Sequence, residues 1–248
     1  MVKIKTKEEI ELMTISGEIN NECHKLLENH LKIGITTKEL NEIAKSFIKS
    51  KGCKPSFEGH QGFPKSICIS INEEVVHGIP GKRKLKNGDV VSIDIGVEYK
   101  GIHSDAARTY IIGDKSKDDE RLLKGTKEAL EEGLKEVKPG ARVGDISARI
   151  ESIAKKYKLG VVKELVGHGI GTELHEDPDI PNFGSEDKGE ELKEGMTLAI
   201  EPMFTLGSHE VWVLEDNQTI ATRDESKAAH FEHTVLVTKN SYKILTGA

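Results

Sequence analysis

No apolar run in this 248-residue chain approaches the ~18 residues that would span a bilayer. The opening Met1-Val2-Lys3-Ile4-Lys5-Thr6-Lys7-Glu8-Glu9 lacks the apolar stretch that directs export. The three cysteines, Cys23, Cys53 and Cys68, form no CxxC pair and leave one over, so the pattern is that of reduced thiols in a cytoplasm rather than a disulfide scaffold. Basic excess is also missing: 36 Lys and Arg stand against 42 Asp and Glu, and the net charge of −6 gives no global field to hold nucleic acid. No G-x-S-x-G, no P-loop and no G-x-G-x-x-G opening a βαβ unit occurs.

What is present is a soluble, globular composition, with 36% hydrophobic and 31% charged residues and a mean hydropathy of −0.44. The length allows one large domain or two small ones. The chain also repeats itself. Residues 32–52 and 138–160 each run Lys-x-Gly, then an acid followed by Leu or Ile (Glu39-Leu40, Asp145-Ile146), then a helical pattern closing on Gly52 or Gly160. Leu85-Lys86-Asn87-Gly88 leads to Ile93-Asp94, as Leu192-Lys193-Glu194-Gly195 leads to Ile200-Glu201; between these pairs sit His77-Gly78-Ile79 and His168-Gly169-Ile170. Three matches in one order predict a single domain over 1–248, made of two pseudo-equivalent halves of about 1–115 and 116–248.

Capping boxes at Thr6-x-x-Glu9 and Thr36-x-x-Glu39 open two helices in the first half, and 118–137 and 143–157 are their counterparts. Strands are predicted over 67–71, 90–96, 109–112, 196–201, 210–214 and 233–237. The fold class is therefore α+β, with a curved and largely antiparallel sheet.

Four acids sit where apolar strands should not carry them: Asp94, Asp105, Glu201 before Pro202, and Glu232 between Phe231 and His233. A carboxylate taken into a core costs a large desolvation energy unless a partner compensates it. Any one of them reads most simply as a cap or a buried ion pair. Four together repel, and the repeat sets Asp94 and Glu201 at equivalent positions, so cations are the economical explanation. His168 in Gly167-His168-Gly169-Ile170-Gly171 is flanked by glycines that leave its ring a clear approach, although a lone histidine in such a loop is more often a surface residue. Carboxylates plus an imidazole suit Mn, Fe, Co or Zn in a hydrolytic site better than they suit a sulfur-rich structural zinc. Cys68 alternates like a packed strand residue.

The stretch from Phe63-Pro64-Lys65-Ser66 through Val76-His77-Gly78-Ile79-Pro80, with Gly167-His168-Gly169-Ile170-Gly171, His175-Glu176, Ile200-Glu201-Pro202 and Phe231-Glu232-His233-Thr234, resembles the bacterial-type (type I) methionine aminopeptidases over nearly the whole chain. That resemblance implies the pita-bread fold and two divalent ions (Co, Mn, Fe or Zn), held by Asp94, Asp105, His168, Glu201 and Glu232. It implies that Asp105 and Glu232 bridge, that a bridging hydroxide attacks the scissile carbonyl, and that Glu201 shuttles the proton. His175 would bind the carbonyl or developing oxyanion, and His77 the region of the leaving nitrogen. The implied methionine pocket falls on His60, Phe63 and Cys68, and on Leu174 where relatives often carry an aromatic. Gln61 stands where many have histidine, and Gln218 stands near the usual pocket-lid tryptophan, with Trp212 on a small insertion.

The implied substrate is the N-terminal methionine of nascent chains ahead of a small residue, handled by a cytoplasmic monomer in transient contact with the ribosome, with no specific nucleic acid and no membrane. Two other readings of the fold are an Xaa-Pro aminopeptidase or dipeptidase, which usually carries a large N-terminal domain, and a catalytically silent binding protein, which typically loses ligands. The basic run Lys82-Arg83-Lys84-Leu85-Lys86 reads as a solvated loop.

Overall fold

Thr6 starts the first helix as its capping box requires: its hydroxyl accepts from the Glu9 backbone N–H at 3.2 Å, and its own N–H donates to the Glu9 carboxylate at 2.7 Å. The structure is a computed structural model, and it describes residues 2–247. Helices α1 (Lys7–Glu28) and α2 (Thr37–Ser50), the latter capped identically by Thr36 and Glu39, are followed by strands β1 (Lys54–Pro55), β2 (Cys68–Ile71), β3 (Glu74–Val76), β4 (Val90–Tyr99) and β5 (Ile102–Ile111). The second half runs α3 (Lys117–Leu134), α4 (Val143–Tyr157), β6 (Gly160–Val161), β7 (Val166–Gly169), β8 (Glu176–Pro181), β9 (Thr197–Ile200) and β10 (Met203–Thr205). It continues through β11 (Val211–Val213), β12 (Ile220–Thr222), β13 (Ala228–His230), β14 (His233–Val237) and β15 (Tyr242–Ile244).

All four helices lie where the sequence pattern sets them. The strand expected over 109–112 is only the end of β5, which begins at Ile102 and pairs with β4 along its whole length, from Tyr99 opposite Ile102 to Val90 opposite Ile111. Its polar start, His103-Ser104-Asp105, hides the alternation that a strand search needs. Strands β1, β3, β6, β10, β12, β13 and β15, of two or three residues, are too short for periodicity to show, and glycine in β7 and acids and prolines in β8 mask it there.

Among the described residues every strand pair is antiparallel, in sheets ordered β1-β4-β2 (with β5 on β4), β15-β14-β9-β7-β8, β13-β10-β6 and β11-β12-β3. The halves share one pattern: β2–β4–β5 in the first corresponds to β7–β9–β14 in the second. Their loops match down to single bonds. Gly34 N–H donates to Leu85 O and Leu85 N–H to Ile35 O; Gly140 N–H donates to Leu192 O and Leu192 N–H to Ala141 O. Isolated bridges join Thr36 with Lys84 and Arg142 with Glu191.

Each half buries its own aliphatic core, around Leu40, Ile48, Ile69 and Ile93 in the first and around Leu122, Ile146, Leu198 and Phe204 in the second. Helix α1 covers the β4–β5 ribbon with a row of polar side chains at i, i+4 spacing. Ser16 Oγ donates to Val97 O at 2.8 Å, Asn20 Nδ2 to Ile95 O, and His24 Nε2 to Ala106 O at 2.9 Å. These carbonyls flank Asp94 and Asp105, so the helix satisfies backbone groups that would otherwise be buried unpaired. A Cβ at Gly17 would come within 2.3 Å of the carbonyl oxygen of Leu245, just past β15, so α1 can pack this closely on that segment only because position 17 is glycine.

Two threonines stitch the halves together. Thr234 Oγ1 accepts from Asp105 N–H at 2.9 Å and donates to Asp105 O at 2.8 Å; Thr109 Oγ1 donates to His230 O at 2.7 Å and accepts from His230 N–H at 3.0 Å. A direct bond from Glu232 N–H to Ala107 O at 2.9 Å lies between them.

Candidate metal centre

Those stitches bring acids from opposite halves face to face. Asp94 and Asp105 come from adjacent strands of the β4–β5 hairpin, where Gly96 opposes Asp105 and Asp94 opposes Ala107. His168 projects from β7, Glu201 follows β9, and Glu232 lies between β13 and β14. Single ligand atoms of Asp105, His168 and Glu232 all fall within 4.8 Å of one another, and so do those of Glu201, His230 and Glu232. His168 Nε2 is 3.5 Å from Glu201 Oε1, and His230 Nε2 is 3.3 Å from Glu201 Oε2 and 3.9 Å from Glu232 Oε2. Asp94, buried beside Asp105, faces the same cleft.

The polar accounting does not close within the protein. Asp94 Oδ1, Asp105 Oδ1, Glu232 Oε1 and His230 Nε2 are buried without a hydrogen-bond partner, and each such group costs about 1–3 kcal/mol if left so. Among the described residues no Lys or Arg lines the cleft. Arg108 turns away, binding Asn21 Oδ1 at 2.6 Å. Burial first, then mutual repulsion, pushes Asp105 and Glu232 well above the ordinary carboxylate range. Burial likewise raises Asp94 to about 6 and Glu201 to about 7, with His230 opposing it at Asp94 and His168 opposing it at Glu201. The Cys68 thiol is raised well above its usual value, by burial and then by Asp94, Asp105 and Glu232.

The donor set is thus carboxylate oxygen plus imidazole nitrogen in a site with uncompensated negative charge. That fits divalent ions of intermediate hardness. His168 is oriented for it, because its Nδ1 bonds the Gly169 carbonyl oxygen at 2.8 Å and leaves Nε2 free on the acid side.

Around this cluster lies a cleft of about 280 Å³. Phe57, Phe63, Cys68 and Leu174 form one apolar wall, with the two rings edge to face at 6.5 Å. His60, His77 and His175 line the opening. The His175 ring lies 4.3 Å from that of His168 and 5.3 Å from that of His60, centroid to centroid. His175 is open to the cleft yet walled closely enough that desolvation, then His60 and His77, lower its pKa to about 4. Gln61 and Gln218 meet at the rim, where Gln218 Nε2 donates to Gln61 O at 3.3 Å. Trp212 is 49% exposed on β11 and is not part of the wall.

All ten site residues expected from sequence therefore line this one cleft. Two neighbours escaped that reading. His230, the last residue of β13, stands two positions before Glu232, a spacing that sets both on one side of an extended chain and is present in Ala229-His230-Phe231-Glu232. Phe57 carries no local signal; only the fold puts it against Phe63.

A curved antiparallel sheet in two matched halves, with acids and imidazoles gathered between them, defines a pita-bread metallohydrolase. The family model for metallopeptidase family M24 matches residues 11–239, and the chain belongs to that family. It is 51% identical over 246 residues to methionine aminopeptidase 1 of Bacillus subtilis, covering 99% of each chain. Its structure resembles the methionine aminopeptidase of Rickettsia prowazekii with a TM-score of 0.98 at 41% identity, covering 100% of both. It also resembles the prolidase of Pyrococcus furiosus, with a TM-score of 0.81 at 26% identity, but covers only 65% of that longer chain.

Proposed function

We propose that this chain is a methionyl aminopeptidase that removes the N-terminal methionine of nascent proteins and peptides when the second residue is small. The observation that carries this is the apolar wall of Phe57, Phe63, Cys68 and Leu174 set directly beside the carboxylate–imidazole cluster. It offers an unbranched thioether side chain a dry surface next to the chemistry.

Asp94, Asp105, His168, Glu201 and Glu232 are the residues that would hold two divalent ions, with the unpaired His230 Nε2 beside Glu201 and Glu232. The bound pair would supply Lewis acidity to the scissile carbonyl and to the attacking water, and an anchor for the free α-amine. Glu201 takes the proton of the water as its oxygen adds to the carbonyl carbon, then passes it to the amide nitrogen as the C–N bond breaks. His175 donates an imidazole N–H to the carbonyl oxygen as that oxygen gains charge. His77, held at φ 60° at the end of β3, contacts the leaving nitrogen. The apolar wall and His60 set the first-residue preference.

The same reading makes 1–248 one catalytic domain of two halves, about 1–115 and 116–248, supported by the matched loop bonds and bridges of the two halves. It makes the enzyme a cytoplasmic one, a reading supported by three buried cysteines that form no disulfide, and a monomer that meets nascent chains in transient contact with the ribosome.

The decisive assay strips metal with a chelator and offers Met-Ala-Ser and Ala-Pro-Ser peptides with Mn, Fe, Co or Zn restored singly. Metal-dependent release of methionine alone is the expected result and ranks the ions. Cleavage only ahead of proline would move the chain to the Xaa-Pro branch of the fold, and a folded, metal-loaded but inert protein would mark a binding module.

A further inference from the structure

Glu176 is the residue next to His175, and its carboxylate points away from the cleft into a buried knot. Its side chain is 3% exposed, and the Lys5 ammonium, itself 2% exposed, lies 2.6 Å from its Oε2. Its other oxygen accepts from Thr172 Oγ1 at 3.1 Å, from the Glu173 N–H at 3.2 Å and from the half-exposed Lys3 ammonium at 3.1 Å, which closes the turn 172–176 on which His175 stands. Lys5 belongs to the extended segment ahead of α1, fixed by its own N–H to Gly195 O at 2.9 Å. Its stem lies flush on the turn: a Cβ on Gly171 would come within 2.2 Å of Lys5 Cε. The same turn is thus gripped by a charge at one end and by close packing at the other, by a residue distant in sequence.

We infer that Lys5 is a positioning residue for His175, holding the 172–176 turn through Glu176 so that the imidazole meets the scissile carbonyl oxygen. The inference rests on the role given to His175 above. A buried ammonium bonded to a buried carboxylate is expensive to desolvate and tolerates little slack, so it fixes the turn more sharply than an exposed pair could. Neither partner touches the cleft, which leaves orientation of the neighbouring imidazole as its effect on the reaction.

The test uses the metal-loaded enzyme and the variants Lys5→Met, Glu176→Gln, His175→Ala and Lys5→Met/His175→Ala, each checked for metal content and thermal midpoint. Lys5→Met is expected to lower kcat about 10- to 100-fold with KM changed far less, as a displacement on the order of 1 Å at a catalytic group does. The double variant is expected to be no slower than His175→Ala, since the two act as one unit. The His175 ring ¹⁵N signals should shift in Lys5→Met while those of His77 stay in place. If Lys5→Met does not fold, Glu176→Gln, which keeps the shape and weakens the pair, carries the same expectation. Wild-type kcat in folded Lys5→Met, or losses that multiply in the double variant, overturns the inference. A silent His175→Ala overturns the role of His175 itself, so the two failures are told apart.

Discussion

His230 shows how a single side chain can be central to the site yet sit outside every motif. Its Nε2 lies 3.3 Å from Glu201 and 3.9 Å from Glu232, and no hydrogen bond satisfies it. Standing beside two of the proposed ligands with its Nε2 unpaired, it should tune them. His230→Ala is expected to weaken metal affinity about 10- to 100-fold, a typical cost of losing an outer partner, measured by titrating chelated protein with Mn or Co. Equal affinity in variant and wild type would mean that His230 is only packed. Glu176 makes a second prediction at this scale. Burial would raise its pKa, but Lys5, then the Glu173 N–H and Lys3, outweigh that and hold it down at about 2. Because the folded-state value is depressed, the stability it contributes is fully present above the unfolded value of 4.5 and fades as pH falls toward 2. Glu176→Gln should therefore destabilise the protein at neutral pH and much less near pH ~2, as thermal midpoints across that window would show.

At the scale of elements, the helices are specified locally and the strands are not. The capping boxes at Thr6 and Thr36 work within four residues, so both helix starts were legible from the sequence and appear as read. Thr36→Ala should cost about 1 kcal/mol, read from urea unfolding, and should leave catalysis alone. The β5 strand is the contrary case. Its start is polar, and it is a strand because β4 lies alongside it and because Thr234 holds the backbone of Asp105 on both its N–H and its carbonyl. Thr234→Val keeps the shape and removes both bonds. It should cost about 2 kcal/mol or more by stranding two buried backbone groups, and should lower metal affinity by freeing Asp105. Unchanged affinity in a destabilised but folded variant would separate the stitch from the site.

For the molecule as a whole, the meeting of the two halves concentrates negative charge that, among the described residues, no lysine or arginine of the cleft neutralises. With the metal removed, the carboxyl groups of Asp94 and Glu201 titrate near 6 and 7 in the folded state against 3.8 and 4.5 unfolded. Raised values mean that the folded state keeps its protons longer. Their contribution to stability is complete below about 4 and is lost as pH rises through 6 and 7. The chelated protein should therefore melt progressively lower as pH rises across that range. The metal-loaded protein should lose far less, because the cations take over the role of the protons. Parallel pH profiles for the two forms would show that the cluster is not where the metal binds.

The amino-acid order alone determined the helices, the internal repeat, the antiparallel α+β class and the four misplaced acids, because capping, periodicity and the cost of a carboxylate in an apolar strand are all local physics. It could also mark His168, since its flanking glycines are neighbours in the chain. Only the tertiary structure decided that His230 stands against Glu201, that Phe57 packs edge to face on Phe63 in one wall of the pocket, that Arg108 turns away from the acids, and that Lys5 reaches Glu176. None of these contacts is announced by the residues on either side of its partners: His230 with Glu201, Arg108 with Asn21 and Lys5 with Glu176 depend on packing between segments far apart in the chain, and Phe57 with Phe63 on the fold of the loop between them.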